Sequence, residues 1–298
     1  MSTTAKIKKG IKYLLGTDRL GPYFPVYPDD TFIVSYPRSG NTWMRFLIAN
    51  LIHSDLQVSF VNIDQLVPEI YLITRRELAR VPCPRILKSH DHFNPRYRNV
   101  IYVVRDPRDV ILSEYRHELR SRVIDDGFPM ERFLDHFLDP AAHRLPGALE
   151  NDEPFAPWGE HVASWIGARR NHKRFLLVRY ADLQHDPHTE LKRIAGFLGS
   201  DATSEHIARA VELSSADRMR KLEKNEREKW RLTAGQRRDI PFVGKAETGG
   251  WKEALPENCV AAIEAEWGDL MTSLGFELSG AGRGALHPPA AAAKSGAR

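Results

Sequence analysis

Short apolar runs alternate with stretches of helical periodicity along most of the chain. Thr31–Tyr36 (TFIVSY) is rich in residues that favour strands, and it stops at Pro37 before Arg38-Ser39-Gly40-Asn41. Met44, Leu47, Ile48, Leu51 and Ile52 then recur at helical spacing. Arg85–Ser89 (RILKS) predicts a second strand. Val100–Arg105 (VIYVVR) predicts a third, and its lack of polar alternation suits a strand buried on both faces. Directly after it Asp106 suits a helix N-cap, Pro107 the first helical position and Asp109 the positive end of the helix dipole. Phe175–Tyr180 (FLLVRY) predicts a fourth strand. Asp186-Pro187 opens a helix carrying Leu191, Ile194, Phe197 and Leu198, and helical patterns continue over Ile207–Leu213 and Val260–Leu274.

This order predicts one α/β domain over residues 25–278, a parallel β-sheet flanked by helices. Residues 279–298, rich in Gly, Ala and Pro, read as a disordered tail. Open sheets of this kind bind ligands beyond the carboxyl ends of their strands. That rule points to Tyr36–Thr42, Lys88–His90 and Arg105–Asp109.

The bulk composition changes the picture little. The 298 residues are 42% hydrophobic and 28% charged, enough for a sizeable core. A net charge of +4 is too small to argue for nucleic acid, and it is compatible with a polyanionic ligand. Two cysteines, Cys83 and Cys259, form no CxxC and no disulfide framework, so a reducing compartment, the cytoplasm, is the default expectation. No apolar run reaches the ~18 residues of a transmembrane segment. The basic start, MSTTAKIKKGIKYLLG, reads as a solvated first helix, with a membrane-surface helix as the alternative.

The candidate chemistry sits in four places. In Tyr36–Trp43 a strand, a glycine-containing turn and a helix start make an anion cradle, with donors from Ser39, Asn41 and Thr42 and a fixed charge from Arg38. No Lys follows Gly40, so this P-loop-like loop is not a Walker sequence. Lys88-Ser89-His90 pairs a cation with a candidate base, and taken alone it reads equally as structural. His90-x-His92 lacks the further ligands of a metal site, and no metal is expected. Arg105, with Ser113 two turns into the next helix, can hold a phosphate, or can simply border a capped helix. Lys245 and Lys252 flank Gly249-Gly250-Trp251 in a segment that reads as a phosphate-covering loop or as a solvated loop before a buried Trp.

Together these elements resemble the sulfotransferases that use 3′-phosphoadenosine-5′-phosphosulfate (PAPS). Tyr36–Trp43 is similar to the family's 5′-phosphosulfate loop, YPKSGTTW. Val103–Ser113 (VVRDPRDVILS) resembles its 3′-phosphate motif, RNPKDVxxS. Lys88-Ser89-His90 resembles KTH, Arg179–Leu183 resembles the YEDL stretch, Ser214-Ser215-Ala216 with Met219 resembles TSFxxM, and Gly249–Lys252 resembles GDWK. The resemblance implies a cytoplasmic sulfotransferase that moves a sulfuryl group from PAPS to an acceptor hydroxyl by in-line displacement and releases 3′-phosphoadenosine-5′-phosphate (PAP), without a metal. It implies catalytic roles for His90 as general base and for Lys88 and Arg38 as charge stabilisers. It places Arg38, Ser39, Gly40, Asn41 and Thr42 on the phosphosulfate and Arg105, Ser113 and Lys245 on the 3′-phosphate. Trp43, Tyr180 and Ser214 would border the nucleoside. The chain departs from the pattern at Arg38 (Lys in the family), Ala216 (an aromatic), Gly244 (Arg) and Ala246 (Gly). No clear copy of the family's KxxxTVxxxE dimer motif occurs, which leaves a homodimer as an open option.

The expected acceptor bears a hydroxyl and is a small molecule, a glycan, a lipid or a peptide, and residues 60–82 and 120–158 should shape its site. Tyr71, Leu72, Arg75 and Arg76 lie in the first segment, and Phe128, Phe133, Phe137, Phe155 and Trp158 in the second, where core packing accounts for the aromatics equally well. A Mg²⁺-dependent phosphoryl-transfer enzyme and a non-catalytic nucleotide binder are the competing classes.

Overall fold

A computed structural model describes residues 24–148, 155–244 and 247–280. The basic N-terminal segment, Lys245 and nearly all of the Gly/Ala/Pro-rich tail lie outside the described residues. Four parallel strands form one sheet: β1 (Thr31–Ser35), β2 (Ile86–Ser89), β3 (Asn99–Val104) and β4 (Phe175–Arg179), in the order β2-β1-β3-β4. Ile33 pairs with Lys88 on one side and Ile101 on the other, and Tyr102 pairs with Leu177. The predicted strands and their parallel arrangement are thus all present, to within a residue at each end.

The sheet is buried on both faces, which explains why β3 shows no polar alternation. Phe32, Val34, Val100, Tyr102 and Val104 enter one core, and Ile33, Ile101, Val103 and Val178 enter the other. The first core is closed by α2 (Pro107–Ser121), α3 (Trp158–Arg169) and α4 (Glu257–Ser273). The second is closed by α1 (Asn41–Ile52) and by the helices Pro187–Leu198 and Ser204–Leu213.

From β1 the chain moves outward to β2, then returns past β1 to β3. Strand order therefore reverses around β1, and the crevice at the carboxyl ends of β1 and β3 is the topological switch point. The return path, residues 90–98, contains no helix. At the end of β3 Asp106 caps α2 by accepting from the Arg108 N–H at 2.9 Å. Asp109 does more than complement the dipole. Its carboxylate accepts from the N–H groups of Gly249 (2.8 Å) and Trp251 (3.2 Å), which ties a distant loop to the start of α2. Arg108 is buried beside it, bonded to Asp106 (2.6 Å), Glu264 (2.5 Å) and the Glu277 carbonyl (2.8 Å), with its guanidinium 3.8 Å from the Trp251 ring centroid.

Candidate active site

A cavity of about 920 Å³ opens at the carboxyl ends of β1, β2 and β3. Its floor is the loop between β1 and α1. Arg38 (φ 63°) and Gly40 (φ 96°) both take left-handed conformations, and this turns successive N–H groups toward one side. The first helical hydrogen bond of α1 runs from Met44 N–H to the Gly40 carbonyl, so the N–H groups of Asn41, Thr42 and Trp43 precede it. Arg38, Gly40, Asn41, Thr42 and Trp43 line the cavity, and Ser39 does not. Ser39 is fully buried, with its hydroxyl 3.5 Å from the Pro37 carbonyl. The Asn41 amide nitrogen donates to the Ile33 carbonyl (3.3 Å) and Ser35 Oγ (3.2 Å), which fastens the loop to β1, while Oδ1 has no partner among the described residues.

Trp43 and Tyr180 form one wall, their rings edge-to-face at 5.6 Å. Arg105 lies over the Tyr180 ring at 4.5 Å and donates to the carbonyls of Arg38 (3.3 Å) and Glu247 (3.1 Å). Its Nε, like Arg38 Nε, is sealed from solvent and has no partner among the described residues. Ser113 also lines the cavity. Ser214 does not: its hydroxyl accepts from Asn50 (3.0 Å) and its carbonyl from the Trp43 indole (2.9 Å), and Ser215 and Ala216 reach the wall instead. Gly244 is on the wall too, with its carbonyl accepting from Arg220 at 2.8 Å.

Lys88 and His90 face the same space. Lys88 is not a free cation. Its Nζ donates to Glu69 Oε2 at 2.6 Å in a buried pair, a partner for which the sequence carries no pattern. The His90 ring bonds through Nδ1 to the Ser35 carbonyl at 2.7 Å. A carbonyl only accepts, so Nδ1 bears the proton and Nε2 keeps its lone pair. Burial, and then the Lys88 charge, hold the His90 pKa well below the usual imidazole value, so the ring is neutral at pH 7.

One face of α2 was missed in the sequence. Glu114, His117, Glu118 and Ser121 fall at i, i+3, i+4 and i+7 and all line the cavity. That spacing is the helical periodicity used above for apolar residues, here carried by polar ones. Burial, followed by mutual repulsion with Glu118, raises the Glu114 carboxyl to about 8, and burial raises Glu118 to about 7. Glu114 Oε2 has no hydrogen-bond partner among the described residues. Burial lowers Arg38 to about 10 although both acids oppose the shift. Phe242 packs beneath Arg38 (5.4 Å) and Arg120 (5.0 Å). The described residues hold no group of three or more His, Cys, Asp or Glu side chains arranged for a metal.

One crevice thus gathers a left-handed loop, two buried guanidinium nitrogens without partners among the described residues and a neutral His. The profile of the Sulfotransferase domain matches residues 28–275. The chain belongs to the sulfotransferase family. Mouse Sulfotransferase 1A1 is 26% identical over 285 residues, covering 89% of this chain and 92% of that protein. Mouse Sulfotransferase 2B1 is 29% identical over 239 residues, covering 76% and 67%. Retinol dehydratase in a complex with retinol and PAP superposes with a TM-score of 0.66 at 22% identity, covering 83% of this chain and 82% of the other. Mouse sulfotransferase SULT7A1 complexed with PAP gives 0.65 at 24%, covering 85% and 87%. This family member is therefore a transferase in class and a single α/β domain in fold. None of its described helices is long and apolar enough to cross a membrane.

Proposed function

We propose that the chain transfers a sulfuryl group from PAPS to an acceptor hydroxyl, with His90 as general base, and releases PAP. The observation that carries this reading is the tautomer of His90. Its Nδ1–H is committed to Ser35, and Nε2 is left with a lone pair beside the cradle. In the reaction Nε2 takes the acceptor's hydroxyl proton as that oxygen attacks sulfur, while the bond from sulfur to the 5′-phosphate oxygen breaks opposite to it. Arg38 and the N–H groups at the start of α1 meet the charge that grows on the leaving oxygen, with Lys88 in support. Glu69 keeps the Lys88 charge in place before the donor arrives.

The polyanionic donor fits the residues present. Arg38 Nε and Arg105 Nε are buried donors without acceptors among the described residues, and an oligoanion would supply acceptors to both. Arg105 and Ser113 would take the 3′-phosphate, and Trp43 and Tyr180 the adenine. Lys245 is assigned to the 3′-phosphate by its motif alone. The rest of the cavity mixes Phe155, Leu232 and Phe242 with Glu114, Glu118 and Ser121. Such a wall suits an amphiphilic or glycosidic acceptor, whether a small molecule, a glycan or a lipid. The two free thiols, Cys83 and Cys259, support a reducing compartment, the cytoplasm, as the site of action.

The test is calorimetric titration with PAP, ADP and ATP, with and without Mg²⁺, followed by turnover of PAPS on a hydroxyl panel. Metal-independent PAP binding that is lost in ADP, together with a drop of at least ~10²-fold in turnover for His90→Ala, supports the reading. Mg²⁺-dependent ATP binding, or His90→Ala activity within a few-fold of wild type, overturns it.

A further inference from the structure

Parallel crossovers ordinarily carry a helix that satisfies their backbone and covers the sheet. The path from β2 to β3, residues 90–98, has none. Its main chain is held instead by side chains of α3. His161 Nε2 bonds to the His90 carbonyl (3.1 Å), and Trp165 Nε1 donates to the Asp91 carbonyl (2.9 Å). The Phe93 N–H donates to Ser164 Oγ (3.1 Å), and Arg169 donates to the carbonyls of Tyr97 (2.6 Å) and Arg98 (3.1 Å). All but the first of these bonds hold the crossover to the fold. The bond from His161 ends on the residue whose ring faces the cavity.

His161 is 1% exposed and does not line the cavity. Its Nε2 meets a carbonyl, so Nε2 bears the proton and Nδ1 accepts from the Tyr102 hydroxyl at 2.9 Å. Both nitrogens are thereby used, and one neutral tautomer is fixed. Burial, reinforced by nearby His92, keeps the ring uncharged by lowering its pKa to about 3. On the opposite side the His90 N–H donates to the Tyr71 hydroxyl (2.9 Å), which donates to Asp91 Oδ1 (2.5 Å). A Leu or Met would fill the His161 position without desolvating two polar atoms, so packing alone does not account for an imidazole there.

We propose that His161, oriented by Tyr102, is a positioning residue that fixes the main chain of His90 so that its Nδ1–H stays on Ser35 and its Nε2 faces the cavity. The inference rests on the reading of His90 as base. Without the bond from His161 the His90 main chain can shift, the contact with Ser35 loosens, and the ring begins to populate the Nε2–H form, which cannot take a proton.

The test is nitrogen NMR of the full chain labelled with ¹⁵N-histidine and saturated with PAP, the His90 signals being assigned by their loss in His90→Ala. In wild type, His90 should appear as the Nδ1–H tautomer. In His161→Met that signal should be lost to a tautomer mixture, with PAP affinity within about twofold of wild type. His161→Gln places an amide donor near the position of the lost Nε2–H and should restore it. Should His161→Met not fold, Tyr102→Phe, which deletes only the orienting hydroxyl, is judged by the same criterion. A His90 signal unchanged in the variant overturns the role of His161 and leaves the base assignment standing. A wild-type His90 protonated on Nε2 removes the base assignment itself.

Discussion

Gly40→Ala tests whether the cradle and the Tyr180 wall are one unit. Gly40 has φ 96°, and a Cβ built on it lies 2.4 Å from Tyr180 Cδ2 and 2.6 Å from Cε2. Ordinary contact begins near 3.4 Å, so about 1 Å of movement is required. Tyr180 cannot absorb it alone, because it is 5% exposed, abuts Trp43 and lies beneath Arg105. The left-handed backbone costs Ala about 1–2 kcal/mol and the overpacking about 1–3 kcal/mol more. At about 1 kcal/mol per 2–4 °C, differential scanning calorimetry should register a fall of about 4–20 °C in Tm. Displacing Arg105 and the first N–H groups of α1 should weaken PAP binding about 10- to 100-fold by isothermal calorimetry. Gly196→Ala, in an exposed helical position with nothing within 4 Å of the built Cβ, is the control and should stabilise by up to about 1 kcal/mol. A Gly40→Ala protein that binds PAP within twofold of wild type would refute the coupling of loop and wall.

Three further expectations follow from individual groups. His90, the proposed base, has a lowered pKa, so its unprotonated form persists as pH falls. The rate of kcat/KM against pH should show no acid limb at the ordinary imidazole value of 6.5, only one well below it. The Glu114 carboxyl is raised to about 8 from an ordinary value of 4.5, so the folded state holds its proton longer than the unfolded state does. Its contribution to stability is complete below about pH 4.5 and is lost as pH rises through about 8. Glu114→Gln should flatten that loss in thermal melts of the ligand-free protein, and equal slopes in both proteins would reject the assignment. Arg108→Ala leaves Asp106 and Glu264 without their shared cation in a buried site, which should cost about 3–5 kcal/mol in urea unfolding; a cost under 1 kcal/mol would contradict the buried pairing.

The segments legible in the sequence are those whose residues act through the backbone they belong to. β1 and β3 were legible because strands buried on both faces need continuous apolar residues. The cradle was legible because a strand, a left-handed Gly40 and a helix start are consecutive in the chain. Asp106 and Pro107 announce the start of α2 for the same local reason. Sequence alone therefore determined the sheet, the family motifs and the end of the sheet at which the cavity opens. What only the tertiary structure decided are the partners that lie far along the chain. Lys88 meets Glu69, Asp109 meets Gly249, Ser214 turns to Asn50, and His161 reaches the carbonyl of His90. Each is a single polar contact formed when separate elements pack against one sheet. A lone side chain gives no periodic signal, and its partner is chosen by the angle and depth at which those elements meet.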